Sequence, residues 1–190
     1  LMDEGLSDDV RRGLRSVLEA TERATLLARK LLTYGRRHPA GHRDLDLDAT
    51  LADAVPLLRQ LVPSTMNLEI QPGEGRHLVH ADRGQIEQVV LNLCVNARDA
   101  GVPSCDIFVS TDTLEVDDDW RRHHPSSRGG RYVLMKVSDN GAGMSAETRE
   151  RIFDPFFTTK SIGQGTGLGM ALVLKIVEDH AGFIDVESEL

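Results

Sequence analysis

Cysteine is almost absent from this chain: Cys94 and Cys105 are the only two in 190 residues. Their spacing makes neither a metal-binding pair nor a disulfide framework, so a reducing cytoplasm is the simplest setting and packing the simplest role. Long apolar runs are missing too; none approaches the roughly 20 residues that a membrane-spanning helix needs. The opening Leu1-Met2-Asp3-Glu4 does not read as a signal peptide. Positive charge is in deficit, with 22 Lys and Arg against 30 Asp and Glu and a formal net charge of -8. That argues against DNA or RNA as a partner, because phosphate backbones bind basic faces. A nucleotide site, which needs only a few local donors, stays open. No internal repeat is present. What the chain does have is an apolar fraction of 40 %, enough to bury a core. Its length fits one ordinary domain and a smaller appendage.

The appendage comes first. Over residues 7–37 the positions Val10, Leu14, Val17, Thr21, Ala24, Ala28 and Leu31 recur in steps of four and three. That spacing predicts a long helix with a heptad seam, built to pack in a bundle. The same pattern also fits an amphipathic helix lying on its own globular domain. His38-Pro39-Ala40-Gly41 ends it and forms a linker. Helical and strand patterns then alternate. Leu45 and Leu47 flank Asp46 in a short strand, and Asp48 is a candidate cap for a helix to about Leu61. Residues 66–71 and 78–80 read as two strands joined by a turn at Pro72-Gly73. Asp82 can cap a helix carrying Ile86, Val89, Val90, Leu93 and Ala97. Residues 107–113 and 132–138 read as strands, and the polar stretch between them, residues 114–130, as an exposed loop. A helix runs from Gly169 to about His180, and a last strand starts at residues 183–186. Such a strand would need an antiparallel neighbour beyond Leu190. The mixture predicts an α/β fold: a two-layer sandwich with a mixed sheet covered on one side by helices. The expected division is residues 1–40 and 41–190.

Four segments carry chemistry. Asn92 and Asn96, four apart, place two amides on one helix face, and Asp99 follows at a further step of three. These groups cost free energy to bury unless something polar meets them. A Mg2+–phosphate unit suits them, since Mg2+ takes a few protein oxygens beside substrate phosphates and water; so does exposure to water. Asp139-Asn140-Gly141-Ala142-Gly143-Met144 follows an apolar strand. Its Asp can accept from an exocyclic amine such as that of adenine, and its glycines allow close approach. A plain tight turn has the same composition. Phe153-Asp154-Pro155-Phe156-Phe157-Thr158-Thr159-Lys160 holds three of the five phenylalanines. It reads as a docking loop with aromatic anchors or a small satellite core; Lys160 can reach a phosphate as a point charge. Gly163-Gln164-Gly165-Thr166-Gly167-Leu168-Gly169-Met170 opens a helix, where backbone N–H groups and the helix dipole favour an anion. Its glycine spacing is not the dinucleotide fingerprint, and no Gly-Lys-Ser/Thr of a P-loop is present.

The order of the four segments resembles the ATPase family of gyrases, heat-shock chaperones, histidine kinases and mismatch-repair ATPases. The likeness is closest to sensor histidine kinases of the nitrogen-regulation and hybrid phosphorelay type. Residues 92–100 look like the N box, 139–144 like the first G box, 153–160 like the F box and 165–170 like the second G box. Leu31-Leu32-Thr33-Tyr34-Gly35-Arg36-Arg37 is similar to the end of the second dimerisation helix. The resemblance implies ATP and Mg2+ as cofactors. Asp139, with Gly141 and Gly143, would meet adenine, and Asn92 would hold Mg2+. Asn96 and Asp99 would support metal, phosphates or ribose. Thr158, Thr159, Lys160, Gly165, Thr166, Gly167, Leu168 and Gly169 would surround the phosphates, and residues 145–164 would form a mobile lid. The family transfers the γ-phosphoryl to a histidine and then to a response-regulator receiver domain, and works as a homodimer through its hairpin helices. The parent of this chain is cytoplasmic on that reading, with upstream membrane attachment allowed.

Hydrolytic relatives carry Glu one turn before the Asn. Here Gln88 stands there, and an amide cannot act as general base. This favours a kinase, with Gln88, Asn92 and Lys160 as its catalytic set, over an ATP-hydrolysing relative; degraded boxes would have marked a non-catalytic dimeric adaptor. None of the seven histidines, His38, His42, His77, His80, His123, His124 and His180, matches the family's phosphoacceptor motif.

Overall fold

The computed structural model describes residue 13 and residues 41–100, 105–124, 127–160 and 165–190. The chain divides into two compact units, Leu1–Pro39 and Ala40–Leu190. In the first unit only Gly13, exposed and helical, is described; the heptad seam and the hairpin helix lie outside the described residues.

The second unit opens with β1 (Arg43–Asp46), which leads directly into α1 (Leu47–Leu61). Asp46, not Asp48, caps this helix: its Oδ1 accepts from the N–H groups of Asp48 and Ala49 at 3.0 and 3.3 Å. Both carboxylates could cap, but Asp48 has a better claim inward. Its Oδ2 lies 2.8 Å from Nδ1 of buried His77, and its Oδ1 accepts from Thr111 Oγ1 at 2.5 Å. Three strands make the main sheet: β2 (Asn67–Gln71), β4 (Asp106–Val116) and β5 (Gly130–Asp139). β2 lies parallel to β4, and β5 antiparallel to it, with Ile107 opposite Asp139. β3 (Leu78–Ala81) pairs with β1 instead, Arg43 facing Ala81. The strands either side of Pro72-Gly73 are therefore not a hairpin; each finds its partner elsewhere in the chain.

One face of the sheet carries Ile107 and Val109, both buried, with Leu68, Ile70, Val133 and Met135 beside them. Onto it pack Leu51, Ala54 and Leu58 of α1, and Val90, Cys94 and Ala97 of α2 (Arg83–Ala100). Leu58 is fully buried, and truncating such a side chain to alanine costs about 2–5 kcal/mol. Phe108 and Leu134 are exposed, so this is a two-layer α/β sandwich with a mixed sheet, as the alternation of patterns predicted. Cys94 and Cys105 both sit in this core. Burial pushes the Cys94 thiol up to about 11 and that of Cys105 upward, consistent with packing and not reactivity.

The polar stretch after residue 113 is more ordered than its composition suggests. β4 runs on to Val116, paired against Gly130. Asp117 then caps a short helix, α3 (Asp118–His123), by accepting from Trp120 N–H at 2.8 Å. Exposed positions of a two-stranded ladder are free to be charged, so charge alone does not mark a loop. Ser145 caps α4 (Ala146–Arg151). α5 (Gly169–Asp179) buries Leu172, Val173 and Ile176 against Val89 of α2. Residues 183–190 adopt no strand pairing; an extended segment needs a bonded neighbour to be a strand. No helix among the described residues is long and apolar enough to cross a membrane.

Candidate functional site

α2 is the spine of the site. Its periodicity turns Val89, Val90, Cys94 and Ala97 into the core and leaves one stripe for polar groups. Asn92 is nonetheless buried, 3 % exposed, because it points between α2 and the start of α5. Its Nδ2 donates to Gln88 O at 2.9 Å. Its Oδ1 faces Gly169, where a Cβ would stand only 3.4 Å away. Gln88 is half-buried one turn earlier, and Asn96 half-buried one turn later. Asp99 meets two cations: Arg98 Nη2 lies 2.6 Å from Oδ1, and Lys160 Nζ 2.5 Å from Oδ2. Arg98 also donates from Nη1 to Leu61 O at 3.1 Å, which ties the helix to the end of α1.

At the far end of α2 lies the turn after β5. Asp139 is exposed, and its Oδ1 accepts from Gly141 N–H at 2.9 Å. Asn140 Oδ1 accepts from Asp106 N–H at 2.7 Å, and Ala142 N–H donates to Ala100 O at 3.1 Å. The turn is thus bolted both to β4 and to the end of α2. A Cβ on Gly141 would press on Ala100 O at 2.9 Å. Gly143 has φ +67, and a side chain there would collide with the backbone at Glu189. Met144 N–H donates to Ser188 Oγ at 2.9 Å.

The phenylalanine-rich loop and the glycine loop lie against each other. Phe156 N–H donates to Gly167 O at 2.9 Å. Gly167 has φ +64, and a Cβ there would strike the Phe156 backbone. Phe156 itself has φ 69 and is 74 % exposed. Phe157 lies beneath the Arg151 guanidinium, 4.4 Å from its ring centre, a cation–π contact that holds the loop to α4. Thr158 Oγ1 accepts from Lys160 N–H at 3.2 Å and sits where a Cβ on Gly165 would go. Thr159 is exposed. Thr166 Oγ1 lies 3.4 Å from Leu168 N. Leu168 stands at the N-cap of α5 and supplies no side-chain hydrogen bond, so the first N–H groups of that helix are offered outward.

The structure thus brings Asn92 to Gly169, Asp99 to Lys160, Thr158 to Gly165, and Asp139 to Gly141 beside the end of α2. From Asn92 to Ala100 is about 12 Å along the helix at 1.5 Å per residue. Exposed Asp139 lies by one end of this stretch and Gly169, at the start of α5, by the other. Among the described residues no group of three His, Cys, Asp or Glu could hold a metal alone. Asn92 Oδ1 fits Mg2+ only as a partial donor beside phosphate oxygens. Sequence reasoning missed the Ala100 carbonyl, Ser188, Arg98 and the Phe156–Gly167 backbone pair. Backbone acceptors carry no residue signature; only the glycines beside them hint at close approach.

The family of histidine kinase-, DNA gyrase B- and HSP90-like ATPases matches residues 81–190, and the chain belongs to it. Within that family it is a sensor histidine kinase ATPase domain. It is 38 % identical over 190 residues to sensor kinase CckA of Brucella abortus (strain 2308), a match that spans the whole of this chain and 20 % of that protein. It is 28 % identical over 200 residues to the sensory histidine kinase/phosphatase NtrB of Rhizobium leguminosarum bv. phaseoli, again over the whole chain and 49 % of the relative. The chain therefore spans half or less of these relatives. Among solved structures, the nucleotide-free catalytic domain of histidine kinase ThkA shares 27 % identity at a TM-score of 0.56, over 73 % of this chain and 81 % of that one.

Proposed function

We propose that residues 41–190 bind Mg2+–ATP and supply the kinase half of a two-component phosphorelay, with residues 1–40 the second dimerisation helix and linker. One observation carries this reading: Asn92, midway along α2, faces Gly169 at the uncapped start of α5, with the Asp139 turn bonded to the C-terminal end of α2 at Ala100. Asp139, with the backbone opened by Gly141 and Gly143, accepts the exocyclic amine of adenine. Asn92 is the protein oxygen for the metal, and Asn96 and Asp99 support phosphates or ribose. The N–H groups over residues 165–169, with Thr166 and Leu168, take phosphate charge at the helix start. Thr158, Thr159 and Lys160 close from the phenylalanine-rich loop. Bound Mg2+ would neutralise phosphate charge.

Catalysis on this reading is positioning and charge neutralisation, not base chemistry. Gln88 cannot take a proton from water, so transfer to a histidine is favoured over hydrolysis. That histidine belongs to the parent protein, as do dimer formation, the receiver-domain partner, cytoplasmic residence and any phosphatase activity. Two solved relatives lend support by their composition. Full-length ShkA, which shares the fold at TM-score 0.67 and 19 % identity, was solved with AMPPNP. ThkA in complex with the response regulator TrrA aligns at TM-score 0.63 and 20 % identity.

Calorimetric titration with AMPPNP and Mg2+ tests the proposal. Binding in the micromolar-to-millimolar range that Asp139→Asn abolishes is the expected result. A folded chain that takes no nucleotide would sink it.

A further inference from the structure

Away from the glycine loops, three imidazoles gather where α5 ends and α2 begins. His42, ahead of β1, has its ring centre 4.7 Å from that of His180 and 5.8 Å from that of His80. Beside His42 in this group, His180 joins two elements. Its Nδ1 lies 2.7 Å from Ile176 O, and its Nε2 accepts the Asp82 N–H at 3.1 Å, across 98 residues of sequence. A carbonyl oxygen can only accept and a backbone N–H can only donate. The two contacts together therefore fix one species: neutral imidazole with its hydrogen on Nδ1. His124 makes the contrast. Its Nδ1 lies 3.2 Å from Trp120 O and its Nε2 3.3 Å from Asp185 Oδ2, two acceptors where His180 meets one acceptor and one donor.

Asp82 is the cap of α2. Its Oδ1 accepts from Gln85 N–H at 3.0 Å, its carbonyl takes the first helical bond from Ile86 N–H at 3.0 Å, and its Oδ2 accepts from Gly41 N–H at 3.2 Å. His180 thus grips the residue that starts the Asn92 helix. α5 and α2 touch again at Gly169 and Asn92, with Val89, Leu172, Val173 and Ile176 between the two contacts. Close-packed side chains transmit a shift at one end to the other.

We infer that His180 is a positioning residue for the nucleotide site, holding α2 in register with α5 only as its neutral Nδ1–H form, so that acid loosens the site. A second proton would go on Nε2, face the Asp82 N–H and break that bond. Of the charged and titratable groups around it, the Asp82 carboxylate favours a cation, while the Asp82 N–H facing Nε2 opposes a proton there. His42 and His80 can only add positive charge, and His80 already engages Asp44 at 2.8 Å. The Asp82 carboxylate is held by Gly41 and Gln85. On α5 itself Asp179 is paired with Lys175, and Glu178 is exposed. Because His42 adjoins Gly41, the segment entering the domain touches the same clamp.

The inference rests on the site assignment above, but its first test does not need nucleotide. Imidazole 15N spectra of the whole 190-residue chain should show His180 as the Nδ1–H tautomer near neutral pH. As the pH is lowered, the Asp82 amide and Asn92 side-chain signals should move together with the His180 imidazole signals. An Nε2–H tautomer, or signals indifferent to His180, would overturn the clamp. The second arm compares AMPPNP affinity from about pH 7.5 to about 5.5 in wild type and His180→Gln, whose amide donates and accepts without titrating. Wild type should lose about fivefold more affinity, the low end of coupling between linked sites; parallel profiles would overturn the link to the site. Absence of any AMPPNP binding would count against the nucleotide reading, and so against a positioning role, while the tautomer would still decide the clamp.

Discussion

Two polar clusters lie on this domain, one closed and one open. In the closed one, Asp48 gives an oxygen each to His77 and Thr111, Thr111 Oγ1 accepts from Gly73 N–H at 3.0 Å, and His77 O accepts from Leu47 N–H at 2.9 Å. His77 and Thr111 are buried, and only His77 Nε2 lacks a partner. In the open one, exposed Asp139 has one oxygen turned to Gly141, and the start of α5 has no side-chain cap. A polar group whose partners are all internal supports the fold. One whose partners are missing, beside glycines that keep backbone bare, is placed for a ligand.

The contrast can be broken by experiment. Asp139→Asn should weaken AMPPNP binding a hundredfold or more, about 3 kcal/mol, with the melting temperature unchanged by calorimetry; an equal fall in both would erase the distinction. Asp48→Ala should do the reverse. It strands buried His77 and Thr111, so unfolding free energy in urea should fall by about 2–3 kcal/mol. Gly167→Ala falls on the open side but acts on both: strain at φ +64 and collision with the Phe156 backbone should cost about 2 kcal/mol and loosen nucleotide binding. Cys94 gives a milder pH test. Its thiol ionises near 9 when unfolded and about 11 when folded. Its contribution is therefore whole below 9 and lost as pH climbs toward 11, because the unfolded chain releases its proton first. Cys94→Ala should flatten that alkaline fall in urea midpoint. The smallest effect is a gain. Ala181 sits at φ 56 just past α5, where Gly182 N–H closes onto Val177 O at 2.9 Å. Ala181→Gly should add about 0.5–1 kcal/mol, read as a higher melting temperature.

Much of the site could be read from residue order. Asn92, Asn96 and Asp99 share a helix face because 3.6 residues make a turn, whatever surrounds them. Glycines at 141, 143, 165, 167 and 169 signal backbone that must bend or be approached, and at 143 and 167 φ is positive. The Asp82 cap and the apolar face of α5 are equally local. Local propensity and period are properties of a dozen residues and survive without knowledge of the rest.

Tertiary structure decided what those few residues could not. Asp46 and Asp48 were both fit to cap α1; a histidine 29 residues away and a threonine 63 residues away took Asp48. β2 and β3 flank a turn yet each pairs with a distant strand, β4 and β1. The charged end of β4 is strand only because β5 lies beside it. The Asp99–Lys160 pair spans 61 residues and the His180–Asp82 bond 98. Which partner a polar group takes depends on which groups the packed core brings within about 3 Å, and that distance exists only once the chain has folded.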